Sequence, residues 1–191
     1  MCYALPGYAG FRPESGETIT TNALDAAVEQ GYADPERAGV IGHSLGGYST
    51  CCVITRTERF RAAVAIAPFT NLLTFGLSIK ANTLMGLRWV EGGFVRMGGT
   101  FWENSQRYID NSPVFRLNQV STPLLLLHGT ADELPITQSE EMYAGLLRLG
   151  KIAMLARYHG EGYSPEMWSV ENYQDYWRQI VNWFGRYVRN S

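Results

Sequence analysis

The chain has 191 residues, 46% of them hydrophobic and 18% charged, with a formal net charge of −2 at pH 7. This length buries a sizeable core within one domain, and the apolar content excludes a disordered chain. There is no basic excess to point to nucleic acid as the main partner, and no run of about 18 apolar residues marks a membrane span.

Residues 1–7 lack the basic start and long apolar stretch of a secretory leader, so none is expected. Three cysteines cannot all pair, and the adjacent Cys51 and Cys52 read as small buried apolar residues on a helix rather than a redox pair. A reducing, cytoplasmic setting is the expectation.

In chain order, Tyr3 to Phe11 reads as a strand running into a Pro/Gly-rich loop. Thr20 to Gln30 reads as a short helix, with Ala23, Leu24, Ala27 and Val28 at helical spacing and Gly31 just beyond. The turn Asp34-Pro35-Glu36-Arg37 feeds an apolar strand over Ala38–Ile41, then Gly42-His43-Ser44-Leu45-Gly46-Gly47 and a helix over Tyr48–Thr57. Arg61 to Ala67 is a buried strand closed by Pro68, and residues 70–112, rich in glycine and aromatics, are expected to hold only short helices. Pro123 to His128 is an uninterrupted apolar run ending in Gly129, as buried parallel strands are. Ser139–Leu149 is helical, Lys151–Tyr158 is a strand, and Glu171–Val188 is a last helix. That helix sets Tyr173, Trp177, Ile180, Phe184 and Tyr187 on one apolar face. Strands alternating with helices predict an α/β fold, a mostly parallel sheet with helices on both faces.

Gly-x-Ser-x-Gly between a strand and a helix is the pattern of a nucleophile elbow, which lifts a serine above a sheet on strained backbone. A serine hydroxyl is a weak nucleophile until a base takes its proton, and the base needs an orienting carboxylate. In the hydrolases built on such an elbow the chain order is serine, acid, histidine. Ser44 is then the candidate nucleophile, and Leu45 N–H, directly after it, the candidate oxyanion donor. Asp132, in the loop after the Leu124–Leu127 run, is the candidate acid, with an Asx turn as the alternative role. Glu133 is its neighbour and the weaker candidate. His159 alone among three histidines follows Asp132. Trp89, Phe94, Phe101, Trp102 and Tyr108 either line an apolar pocket over Ser44 or pack as core. No metal-ligand spacing, phosphate-binding glycine loop or nucleotide fingerprint is present, so no cofactor is expected.

Several segments, in order, resemble the catalytic domain of the prolyl oligopeptidase family of serine peptidases. They are Asp34-Pro35-Glu36-Arg37 with the elbow to Tyr48, Arg59 to Ala65, Ser112-Pro113, and Thr122-Pro123 through Gly129. Tyr158-His159-Gly160-Glu161-Gly162 and the aromatic helix from Trp177 to Tyr187 complete the set. The resemblance runs from about Tyr3 to Tyr187 and implies an α/β-hydrolase-type fold. It also implies cleavage of short peptides, including blocked or proline-containing ones, with the nucleophile at Ser44 and the acid at Asp132.

Two departures bear on activity. The family pattern after the last strand is Glu-Gly-His, whose histidine is the base; this chain reads Glu161-Gly162-Tyr163. A phenol, protonated at neutral pH, does not readily accept the serine proton. His159 keeps the chain order but sits four residues early. The family's second oxyanion segment also lies upstream, and only about forty residues precede the elbow here, so the early strands of the sheet are expected to be missing. A homodimer or a missing N-terminal segment would cover the edge so exposed. The expected function is a serine hydrolase acting on a small peptide or ester through a Ser44 acyl-enzyme, impaired or inactive if no base serves. A non-catalytic binding module of the same fold and a small-acyl esterase are the alternatives.

Overall fold

The computed structural model describes residues 13–79, 84–93 and 95–189. The expected strand at Tyr3–Phe11 lies outside them. Four strands form one parallel sheet in the order β1 (Gly39–His43), β2 (Ala62–Ile66), β3 (Leu124–Gly129), β4 (Ala153–Tyr158). Each neighbour follows in sequence, and helices make the crossovers, as parallel pairing requires. The architecture is the expected α/β one.

The β2 and β3 runs are buried on both faces, which is why they read as continuous apolar stretches rather than alternating ones. On one face Val64, Ile66, Leu125 and Leu127 pack with Tyr176, Ile180 and Trp183 of helix α7 (Val170–Phe184). On the other, Ala63, Ala65, Leu124 and Leu126 meet Cys51 and Ile54 of α2 (Leu45–Ile54) and Met142 and Leu146 of α6 (Thr137–Arg148). Helix α1 (Pro13–Glu29) covers the β1 side through Leu24, against Ala38, Val53 and Phe60.

Several boundaries differ from the sequence reading. Helix α1 begins at Pro13, before Thr20, because proline suits a helix's first position, while Gly16 and Thr18 between them are weak helix formers that blur the signal. Helix α2 begins at Leu45 rather than Tyr48 and ends at Ile54, so Gly46 and Gly47 are helical. Residues 70–112 contain α3 (Leu72–Gly76), α4 (Met85–Glu91) and α5 (Phe101–Asp110), the short helices anticipated there. Tyr176, Ile180 and Trp183 of α7 are buried in the core, and Phe184 and, just beyond the helix, Tyr187 pack against it; Tyr173 and Trp177 remain 37% and 40% exposed. The chain then continues through a π turn, Gly185–Arg189.

Cys51 and Cys52 are buried and unpaired. Burial pushes both thiols up, Cys52 to about 12, so they are inert packing groups. Among the described residues no helix is long and apolar enough to cross a membrane.

Candidate active site

Functional groups on parallel sheets collect beyond the carboxyl ends of the strands. The register aligns His43, Ile66, Leu127 and Ala156 across those ends. The segments that follow each strand therefore converge.

Ser44 follows β1 directly, at φ 58° and ψ −116°, backbone that side-chain-bearing residues avoid. Such a conformation costs about 1–3 kcal/mol and persists only where its surroundings enforce it. Two of those restraints are visible. Ser44 N–H donates to Ile66 O at 2.9 Å, tying the turn to β2. Below it, β1 and α2 approach so closely that a Cβ on Gly42 would sit 2.1 Å from Gly46 O, and one on Gly47 would sit 2.8 Å from Ile66 O. Leu45 is the first residue of α2, so its N–H belongs to the end of the helix where donors lack helical partners.

Ser44 and Leu45 line a cavity of about 300 Å³. Its aromatic wall is Phe69, from the segment after β2, with Phe75 of α3 and Trp89 of α4. Phe69 and Phe75 stack at 4.8 Å, and Phe75 meets Trp89 at 6.1 Å. Val95, Glu133, Leu134 and Tyr163 complete the lining. Gln138 fixes the Phe69 segment: its Oε1 accepts from Thr70 N and Asn71 N at 2.9 Å each, and its carbonyl accepts from Thr70 Oγ1 at 2.6 Å. Asn71 in turn caps α3 by accepting from Leu73 N and Thr74 N.

Asp132 stands in the loop after β3, buried, one residue before the lining residue Glu133. Its Oδ1 accepts from Leu134 N at 2.7 Å, the Asx-turn bond, and its Oδ2 lies 3.6 Å from His128 Nε2. His128 is fully buried; Nε2 donates to Leu134 O at 3.1 Å, and Nδ1 pairs with Ser139 Oγ at 2.7 Å. This histidine braces the acid loop against α6.

The loop after β4 docks on the acid loop through backbone. A Cβ on Gly129 would sit 2.3 Å from Glu161 O, and Ala131 N donates to that oxygen at 2.9 Å. Trp168 Nε1 donates to Gly162 O at 2.8 Å from the far side. Glu161 Oε1 accepts from Asn172 Nδ2, Ser169 Oγ and Ser169 N, and these donors, Asn172 first, hold its carboxyl below the usual range. So held, the loop presents Tyr163 to the cavity beside Ser44.

His159 is exposed and lines a different concavity, of about 380 Å³, with Thr130, Ile136, Glu140 and Arg157. The structure brings together Ser44, Leu45 and Tyr163, and sets His159 in another hollow. Strand β4 ends at Tyr158, and the turn that follows faces His159 outward before the chain returns to the cavity. His43 lies beneath Tyr163 rather than in the cavity lining; partial burial lowers its pKa from 6.5, while the Tyr163 carbonyl and Glu166 oppose the shift.

Of the expected aromatics, Trp89 lines the cavity. Trp102 is exposed, and Tyr108 is buried with its hydroxyl donating to Gly99 O. Phe101 packs edge-on against both, and Phe94 lies outside the described residues. The sequence reading missed Phe69, Phe75, Val95 and Leu134 as lining. Phe69 was within reach of the rule that strand carboxyl ends bear function, since it follows the Pro68 that closes the second strand.

The geometry can be set against known proteins. The family model described as the prolyl oligopeptidase family matches residues 20–191. A Bacillus subtilis protein described as an uncharacterized peptidase, YuxL, is 33% identical over 138 residues, covering 71% of this chain and 20% of that one. The human acylamino-acid-releasing enzyme is 28% identical over 147 residues, covering 75% of this chain and 19% of its own. A solved acylaminoacyl peptidase of Pyrococcus horikoshii superposes with a TM-score of 0.81 at 25% identity, over 93% of this chain and 28% of that one. The chain spans about a fifth, or less, of the length of the first curated relatives it matches. The match to the family model runs through the elbow, the loop after β3 and the aromatic last helix, and on that ground the chain belongs to the prolyl oligopeptidase family.

Proposed function

We propose that the chain carries the nucleophile-bearing part of a serine peptidase that cleaves short peptides by acyl transfer through Ser44. The observation that carries this reading is Ser44 itself, held at φ 58° between β1 and α2 and lining an apolar cavity. In this reaction Ser44 Oγ forms an ester with the substrate acyl group and the leaving amine departs with a proton. Water then hydrolyses the ester and restores the hydroxyl. Leu45 N–H supplies one oxyanion donor, and Asp132 is the acid that would orient a base. Ester substrates use the same machinery. Relatives described as acylamino-acid-releasing enzymes support blocked peptides as one substrate class. A cytoplasmic setting belongs to the same proposal and is supported by two free thiols, which a reducing compartment preserves.

One observation favours a second reading, a non-catalytic binding module: Tyr163 lines the cavity where the family pattern has its histidine, and among the described residues that line it none is a histidine. A fluorophosphonate probe separates the two. Covalent labelling of Ser44, lost in Ser44→Ala, supports the peptidase. A folded chain that stays unlabelled, while Tyr163→His labels, supports the binding module.

A further inference from the structure

We propose that the Ser44 cavity selects ligands bearing an ammonium or guanidinium group, held by Glu133 against the aromatic wall. The inference rests on reading this cavity as the substrate site and names a class of substrate for it. Among the described residues that line the cavity Glu133 is the one carboxylate, and none of them is a lysine, arginine or histidine that would neutralise it. Among the described residues Glu133 makes no ion pair. Its neighbour Asp132 turns inward to Leu134 N and His128, which leaves Glu133 on the cavity side of the same loop.

The aromatic part of the lining suits the same ligand. Phe69, Phe75 and Trp89 form a continuous aromatic surface, and ring faces carry negative potential that attracts cations. Low-dielectric walls around a single carboxylate concentrate its field in the cavity. At about 300 Å³ the space is at the small end of ligand sites and fits one side-chain-sized group with an apolar stem and a charged tip. Glu133 is exposed, so its contribution is that of a partly solvated pair, roughly fivefold in affinity.

The test is equilibrium binding by calorimetry, which does not require turnover. Phenethylammonium is compared with neutral 2-phenylethanol on the full chain and on Glu133→Gln. The expected result is about fivefold tighter binding of the cation, with the preference abolished in Glu133→Gln. Equal affinities, or a preference that survives Glu133→Gln, would overturn the proposal. Two further pairs identify the source of the charge: N-acetylarginine amide against N-acetylcitrulline amide, and phenylalanine amide against 3-phenylpropionamide. A preference in the first pair assigns a basic side chain and in the second a free α-amino group; a preference in neither overturns it. Failure of Ser44 to label removes the peptidase reading without touching these affinities, so the two failures are distinguishable.

Discussion

Tyr163 lies over His43, ring centroids 4.6 Å apart and tilted by 40°, and the Tyr163 carbonyl accepts from His43 Nε2 at 3.1 Å. The residue before Ser44 thus grips the backbone of Tyr163, where the family pattern has its histidine. Because the bond is to the carbonyl, the side chain at 163 can change while the loop stays anchored.

Replacement of Tyr163 by histidine is therefore expected to put an imidazole beside Ser44 without moving the loop. A positioned general base contributes about 10²–10⁴-fold. The rate of Ser44 modification by a fluorophosphonate should rise toward that range in Tyr163→His and vanish in the Ser44→Ala, Tyr163→His double variant. An unchanged rate would show that the base position is not the limiting defect.

His43 gives the fold a pH dependence of known sign. Partial burial penalises its charged form, and the Tyr163 carbonyl and Glu166 only partly compensate, so the folded pKa lies below the unfolded 6.5. Between the two values the unfolded chain binds more protons, so stability rises with pH there. The contribution is fully present above pH 6.5 and is lost as the pH falls through the folded value. Urea midpoints followed downward from pH 8 should drop less in His43→Gln than in the unaltered chain, and the His43 ring protons should titrate below pH 6.5 by NMR.

The glycines of the elbow are not equivalent. Gly42→Ala drives a methyl into the Gly46 carbonyl, backbone that cannot give way, and is expected to cost about 3 kcal/mol or more. Gly46→Ala meets nothing within 4 Å and lies inside a helix, where alanine is favoured by up to about 1 kcal/mol. Denaturant unfolding of the two variants should move in opposite directions. A comparable loss in both would contradict the packing described for β1 and α2.

Two histidines invite an opposite pair of expectations. His128→Ala leaves the buried Asp132 carboxylate and Ser139 hydroxyl without their ring and is expected to destabilise by about 3 kcal/mol. His159→Ala removes an exposed side chain and should change stability by less than about 0.5 kcal/mol. It should also leave the rate of Ser44 labelling unchanged, because His159 lines the other concavity. Loss of labelling in His159→Ala would mean that the loop rearranges to bring it in.

The sheet was legible because β2 and β3 are buried on both faces and so appear as unbroken apolar runs. The elbow was legible because its glycines answer a local steric demand. The face of α7 was legible only in part: Ile180, Phe184 and Tyr187 pack on the core as expected, whereas Tyr173 and Trp177 stay largely outside it. Tyr173 and Trp177 form one aromatic stripe and Tyr176, Ile180 and Trp183 another, an angular step apart, and only contact with the sheet decides between them. Tyrosine and tryptophan also tolerate exposure through their polar tips, which weakens the pattern further. Much of the cavity was illegible for a related reason: Phe69, Phe75 and Val95 lie on segments whose spacing shows no period. His128 reads as the end of an apolar strand, and its bonds to Ser139 and Leu134 come from tertiary placement alone.

The Ser44 cavity draws its walls from segments as far apart as residues 44 and 163. No part of the chain contains it locally, so it comes into being only with the finished fold and dissolves with it. Any small molecule that enters it binds the native state alone and raises the melting temperature by mass action, about 2.7 kcal/mol of added stability at a hundredfold excess over Kd. A melting curve is thus a general reporter of occupancy, able to rank ligands whether or not the serine ever turns one over.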